Sequence, residues 1–415
     1  MSEVKQGKTV VVIGGGAAGF FSAITCAGMN PHLKVILLEK TSKVLSKVRI
    51  SGGGRCNVTH ACYEPRELVN YYPRGGRELL GPFHTFSPKE TIDWFSSRGV
   101  ELKVEADGRI FPVANDSSVV VSCLINEAYE TGVDVRLNSS VGTLKKRSAD
   151  QFDIVLHDGN NLIADRVILT PGGFPTLKSF EWFADLGHTI IPPVPSLFTF
   201  NMPDNPITEL MGVSVENARV KIQGMKISNS GSLLITHWGM SGPCILKLSS
   251  LAARDLQQLN YQFKINVSWL PDISEEEMRS KLQNLRLAMA RKKMSSSNPF
   301  HLPKRLWEHL LFRSVEEKDL EWAHLRKEEL NKLVNALVND EYSVSGKTTF
   351  KEEFVTCGGV DLREVDFKNM ESKKNPGLFF AGEVLNIDAV TGGFNFQAAW
   401  TTAYLAGKYL AESLD

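Results

Sequence analysis

Apolar residues lie in short unbroken runs toward both ends of the chain and alternate with polar ones in the middle. Val10-Val11-Val12-Ile13 and Val35-Ile36-Leu37-Leu38 are solid aliphatic runs, the pattern of strands buried on both faces of a parallel sheet. Val167-Ile168-Leu169 and Leu378-Phe379-Phe380 repeat it. Helical patterns follow the first run to about Gly28 and cover Pro88 to Gly99, Ser117 to Thr131 and Ala398 to Leu410, with Pro88 suited to a first helical position. Val133 to Leu137 reads as a strand returning to the sheet. Leu102–Val104 with Arg109–Phe111, and Phe152–Leu156 with Leu162–Ala164, read as hairpins. Pro65 to Pro88 is turn-rich and aromatic.

At Pro192, Pro193 and Pro195 the texture changes. Short alternating runs with turn signals predict a β-rich segment from about Leu197 to Val267, and a helical pattern runs from Ser274 to Asn339, opened by a Ser274/Glu277 capping box. Solid runs then resume. The expected organisation is a nucleotide-binding α/β domain over 1–195, a β-rich insert over 196–270, a helical subdomain over 271–340, a return strand over 341–355 and the second part of the α/β domain over 356–415.

The turn after the first strand carries the first chemistry. Gly14, Gly16 and Gly19 stand in G-x-G-x-x-G spacing between a strand and a helix, with Gly15, Ala17 and Ala18 between them. Glu39 ends the second strand twenty residues past Gly19, followed by Lys40. This is the dinucleotide-binding unit. Gly14 permits the sharp turn, Gly16 admits a pyrophosphate to the backbone, and Gly19 lets helix and strand pack closely. The helix N-terminus offers N–H groups to phosphate, and the Glu39 carboxylate can accept both hydroxyls of an adenosine ribose.

A second motif follows at Arg49-Ile-Ser-Gly-Gly-Gly-Arg-Cys-Asn57. Three glycines in a row suit a loop lying flat against something large, with Ser51, Arg55 and Asn57 as donors beside it. That predicts a loop closing over a diphosphate and a flavin ring. Thr170-Pro171-Gly172-Gly173 at the end of another parallel strand again marks close cofactor approach, and Val141 sits where backbone groups meet an adenine edge. Near the C-terminus, Thr356-Cys-Gly-Gly-Val360, Gly382-Glu383 and Thr391-Gly-Gly-Phe-Asn-Phe-Gln397 lead into the last helix. A glycine-led helix N-terminus suits a flavin's N1/C2=O edge, where reduction places negative charge. His237, in Leu233-Leu-Ile-Thr-His-Trp-Gly-Met-Ser-Gly-Pro243, is read as lying in a loop and as a candidate proton donor, with Arg55 as a second catalytic candidate.

Composition narrows the reading. The 47 basic and 47 acidic residues cancel, so bulk charge favours neither nucleic acid nor an anionic membrane. The Arg286, Arg291, Lys292 and Lys293 cluster reads as a solvated helix face balanced by Glu275 to Glu277 and Glu328-Glu329. Val10 to Met29 is uncharged but glycine-rich in its first half, and reads as a buried βα unit rather than a membrane span. Six scattered cysteines without C-x-x-C pairs argue against a disulfide framework and a zinc ribbon, so no metal is expected and a reducing cytoplasm is. Cys56 and Cys62 are separated by five residues, not the four of pyridine-nucleotide disulfide reductases, and no second G-x-G-x-x-G for NAD(P)H is visible. Cys56 is read as a packing residue near the flavin.

IGGGAAG, RISGGGRCNVTH, THWGMSGP, LPKRLWEHLL and AGEVLNIDAVTGGFNFQAAW, in that order, resemble the BaiN/RdsA (YhiN-like) family of FAD-dependent oxidoreductases, over nearly the whole chain. The resemblance implies a discontinuous Rossmann-type FAD domain, a β-barrel-like insert and a small helical domain. It implies FAD contacts at Gly14 to Gly19, Glu39, Gly52, Gly53, Gly54, Arg55, Cys56, Asn57, Gly382, Glu383, Asp388, Gly392, Gly393, Phe394, Asn395 and Phe396. After Gly172-Gly173 this chain is shorter and more apolar than many members near the site, so the resemblance alone does not assign a substrate. The expectation is non-covalent FAD passing a hydride between flavin N5 and a small organic substrate, with NAD(P)H as a transient donor and neither nucleic acid nor membrane as partner. The oligomeric state is left open. The competing expectations are an oxygen-using oxidase of a small amine and a flavoprotein acting on RNA.

Overall fold

The computed structural model describes residues 7–348 and 355–414. The chain divides into two compact units, Met1–Ser196 with Lys351–Asp415, and Leu197–Phe350.

The first unit is built on β1 (Thr9–Ile13), α1 (Ala17–Met29), β2 (Lys34–Leu38), α2 (Ser46–Gly54), β3 (Asp134–Arg136), β4 (Arg166–Leu169), β5 (Leu378–Phe380) and α3 (Phe394–Glu412). The five strands are parallel in the order β5–β4–β1–β2–β3. Their aliphatic runs are buried because helices and neighbouring loops cover the sheet, as a parallel sheet requires. Ile13 is level with Leu38 and Leu169, and Leu169 with Phe380. The residues that follow each strand, Gly14, Glu39, Thr170 and Ala381, therefore stand in one row at the carboxyl edge, where open α/β sheets bind ligands. Because β5 and α3 come from the chain's end, the first forty residues and the last forty share one hydrophobic core.

In the second unit, strands Thr199–Asn201, Ser214–Ile222, Ser228–Thr236, Gly239–Ser241, Gln262–Ser268, Asp340–Ser345 and Lys347–Thr348 form one antiparallel sheet. Asp340–Ser345 pairs with Gln262–Ser268, and Lys347–Thr348 pairs with Thr199–Asn201 at the sheet's other end. Gly346, at φ +99°, is all that separates these two segments, so one kinked strand closes the sheet into a ring. Burial alternates along Asp340–Ser345, as a barrel wall demands. Helices Glu275–Ala288, Lys304–Ser314 and Lys327–Val338 bury Met278, Leu282, Trp307 and Leu333 in the same core as Val220, Ile265 and Val267 of the strands. Residues 349–354 of the expected return strand lie outside the described residues.

Several local expectations changed. Pro65 to Pro88 carries helices Pro65–Leu68 and Gly76–Thr85 rather than bare turns; Leu79 and Phe83 bury an apolar face despite Pro82. The segment around His237 is no loop. Residues 233–236 and 239–241 are paired strands, and His237-Trp238 is the two-residue turn between them. Gly239 makes this possible, since a Cβ there would meet the Phe200 carbonyl oxygen at 2.2 Å.

Candidate functional site

The three glycines of the first turn do different work, and their surroundings separate it. A Cβ on Gly19 would lie 1.8 Å from the Gly14 carbonyl oxygen, so α1 packs onto β1 at a distance only glycine allows. A Cβ on Gly14, at φ +118°, would meet the Thr170 carbonyl oxygen at 2.3 Å. Thr170 fixes this contact through its hydroxyl, which donates to the carbonyls of Ile13 (3.1 Å) and Gly14 (3.0 Å). At Gly16, by contrast, no atom lies within 4 Å of where a Cβ would stand. Gly16 is the N-cap of α1, which has no side-chain cap and no acid in its first turn. The free end of this helix faces open space, as a diphosphate needs.

Beside it, one Glu39 carboxylate oxygen accepts the Gly15 N–H at 2.9 Å, and the other accepts the Thr41 N–H (2.9 Å) and hydroxyl (2.8 Å). Lys40 is exposed. Val141, half-buried, opens the strand Val141–Lys146.

The glycine triplet ends α2. After one turn of helix, Gly52, Gly53 and Gly54 are all left-handed, and no atom lies within 4 Å of a Cβ built on Gly53 or Gly54. Ser51 turns inward, donating to the Val48 carbonyl at 2.9 Å. Arg55 pairs with Glu105 at 2.7 Å and lies over the Phe111 ring at 4.0 Å, which orients it toward the 102–112 hairpin. Cys56 is fully buried, and burial pushes its thiol up to about 12, which makes it inert. Cys62 is free as well, and no disulfide joins it to Cys56. Asn57, with its amide turned so that both ends find partners, accepts the Gly393 N–H at 2.9 Å and donates to the Thr59 carbonyl at 3.0 Å.

That bond joins the second motif to the last. Around it runs a buried polar network. The Gln397 carbonyl accepts the hydroxyls of Thr59 (2.5 Å) and Thr91 (2.9 Å), its amide donates to Thr401, and Trp400 donates to the Val58 carbonyl. Tyr72 donates to the Phe394 carbonyl at 2.6 Å. On the facing side, Glu383 accepts the Thr356 N–H at 2.8 Å and pairs with Lys47 at 2.7 Å, and Gly173 is packed against both Glu383 and Thr356. Gly172 is open, and Gly382 packs on Ala18. Segments 14–19, 39–57, 170–173, 382–383 and 392–397 are thus joined by direct contacts, and their open points are glycine backbone and a helix end.

Three of the expected contact residues are tied to partners within the protein. The Asp388 carboxylate is fully buried and held by Arg74 (2.6 Å to Nε, with a second bond from the guanidinium) and by the Ser196 hydroxyl. Burial raises its pKa above the usual carboxylate range against the pull of Arg74. The Asn395 side chain closes on Ala389, accepting its N–H at 2.9 Å and donating to its carbonyl at 3.1 Å. At Gly393 a Cβ would meet the Thr59 carbonyl oxygen at 2.5 Å, so glycine is required there by neighbouring backbone. Phe396 stacks on Trp400. His237 is exposed, its ring against Trp238. Lys47 and Arg74 escaped the sequence reading, since each acts through a partner some three hundred residues away; Tyr71 and Tyr72 stood in the aromatic 65–88 segment and Gln397 within a quoted motif.

The family description "HI0933-like protein Rossmann domain" fits residues 8–409. The chain belongs to this family. It is an FAD-dependent oxidoreductase. It is 28% identical to a 3-dehydro-bile acid delta(4,6)-reductase of Clostridium scindens, over 97% of this chain and 98% of that protein. It is also 28% identical to a ribosomal RNA dihydrouridine synthase of Escherichia coli, over 96% and 97%. In fold it is similar to a 3-ketosteroid-delta4-(5alpha)-dehydrogenase of Rhodococcus jostii (15% identity, TM-score 0.52, covering 99% of this chain and 98% of that one). Among the described residues, no helix is long and apolar enough to cross a membrane.

Proposed function

We propose that this protein holds FAD non-covalently in its first unit and reduces a carbon–carbon double bond conjugated to a carbonyl in a small, largely apolar substrate, with NAD(P)H as electron source. The supporting observation is the open glycine cradle. Gly16, Gly53, Gly54 and Gly172 have no neighbour where a Cβ would stand, while Gly14, Gly19 and Gly393 are packed on backbone. Bound there, the flavin would supply the hydride. The α1 N-terminus and Gly16 would hold the diphosphate, Glu39 the ribose, and the uncapped N-terminus of α3 the pyrimidine edge of the ring. The substrate class comes from the relatives: a bile-acid delta(4,6)-reductase and a dihydrouridine synthase both leave a ring with one fewer double bond.

A second reading, action on RNA, is favoured by the two relatives named ribosomal RNA dihydrouridine synthase. Charge weighs against it. Between Leu197 and Phe350 twenty lysines and arginines meet seventeen carboxylates, and Lys293 and Arg279 are paired with Asp319 and Glu275. The test begins with the visible spectrum. Purified protein should be yellow, bleach with NADPH without oxygen, and regain its colour with an enone such as a 4-en-3-one steroid. Bleached protein that only a uridine-containing transcript or dioxygen restores would refute the small-enone reading.

A further inference from the structure

Reducing a conjugated double bond requires a proton as well as a hydride. The π bond breaks, the β carbon takes the hydride, and the α carbon takes a proton from a nearby acid. The sequence candidates do not present one from the first unit. Arg55 is held by Glu105 and Phe111, and His237 belongs to the second unit.

The ionisable groups packed about residues 390–396 are few. Arg74 is held by Asp388. The Tyr72 hydroxyl is buried and donates to the Phe394 carbonyl. His60 stacks on Phe394, with centroids 4.5 Å apart, and its Nε2 lies 3.2 Å from the Asp107 carbonyl. Tyr71 remains. Its ring lies nearly parallel to that of Phe394, 4.2 Å away with planes 10° apart. Its backbone is fixed too, since its carbonyl accepts the Val390 N–H at 3.0 Å. It is half-buried, and among the described residues its hydroxyl makes no hydrogen bond. A phenol clamped by ring on Phe394 and by backbone on Val390, with its O–H uncommitted, is a preorganised acid.

Resting on the enone reading above, we infer that Tyr71 is the catalytic acid that protonates the substrate's α carbon. The phenol's O–H bond breaks as the carbon–hydrogen bond forms, and the phenolate recovers its proton from water. The hydride and its electron pair come from the reduced flavin, which ends oxidised.

The test is Tyr71→Phe, which keeps the ring and removes only the hydroxyl. Stacking is retained, so FAD content and bleaching by dithionite should match the parent protein. In single turnover, reoxidation of the reduced protein by the 4-en-3-one should slow by about 10²- to 10⁴-fold, while reoxidation by dioxygen stays unchanged. A readout without turnover accompanies it. A tyrosine touching a flavin quenches its emission by electron transfer, so FAD fluorescence of the oxidised variant should rise severalfold. An unslowed enone reaction, or unchanged emission, overturns the assignment. If no enone reoxidises the parent protein, the substrate class proposed above is wrong, and the emission measurement still decides whether Tyr71 stands at the flavin.

Discussion

Two glycines three residues apart should fail in opposite ways when changed to alanine. At Gly16 the backbone is extended (φ −91°, ψ −168°), which any residue adopts, and a Cβ would stand in open space. Alanine is a poorer N-cap than glycine, so Gly16→Ala should lower the stability of the apo protein by about 1 kcal/mol or less. The methyl would occupy the path by which a diphosphate reaches the N–H groups of α1. Hydrogen bonds to charged groups contribute about 1.5–3 kcal/mol each, so losing one weakens FAD binding by roughly 10- to 150-fold. At Gly19 the Cβ would meet the Gly14 oxygen at 1.8 Å and the Thr170 hydroxyl at 2.9 Å. Neither backbone nor the buried threonine can retreat without parting α1 from β1, so Gly19→Ala should destabilise the apo protein by about 3 kcal/mol or more. Urea unfolding of the apo forms and FAD titration followed by fluorescence separate the two. A Gly16→Ala protein that binds FAD as tightly as the parent would refute the cradle, and equal destabilisation by both changes would refute the assigned difference.

Asp388→Asn leaves the Arg74 cation buried without its counter-charge and should reduce the unfolding free energy by about 3–5 kcal/mol, whereas Arg74→Met combined with Asp388→Leu should recover most of that loss; denaturant titration of the three variants decides it. Glu39→Gln keeps an acceptor for the Gly15 N–H but removes the charge offered to the ribose, and equilibrium dialysis should show FAD held about tenfold more weakly. His188, lowered to about 4 by burial, contributes stability that is complete above its unfolded value of about 6.5 and is lost as pH falls from there through about 4. His188→Gln should flatten the stability curve in that window, and a parent and variant with parallel curves would contradict the assignment.

The sheet edge was legible because its signals are local. A solid aliphatic run, a glycine-rich turn and an acid at the right distance are each properties of consecutive residues, and the five parallel strands put them in one row. What consecutive residues do not show is which partners distant in sequence each one meets. Asp388 lies in a motif that promises a ligand, yet its carboxylate belongs to Arg74 and Ser196. Gly393 resembles Gly16 on paper, but Thr59 occupies the space beside it. His237 lies among glycines that suggest a loop, and those glycines instead let strands approach. The helices of 275–338 have their own period, but nothing in that period tells that their apolar faces would share a core with the barrel strands.

The nesting of one unit inside the other sets a timetable for synthesis. When residue 348 has left the ribosome the barrel already has both ends of its wall and can shut. The α/β sheet, begun first, still lacks β5, so β4 carries an unsatisfied flank until the final forty residues emerge. Its N-terminal half must therefore wait, half-built, through the making of the entire insert. Nascent chains halted just past the barrel should resist protease there while remaining cleavable before Ser196, and the nucleotide site would be the last part of the molecule to come into being.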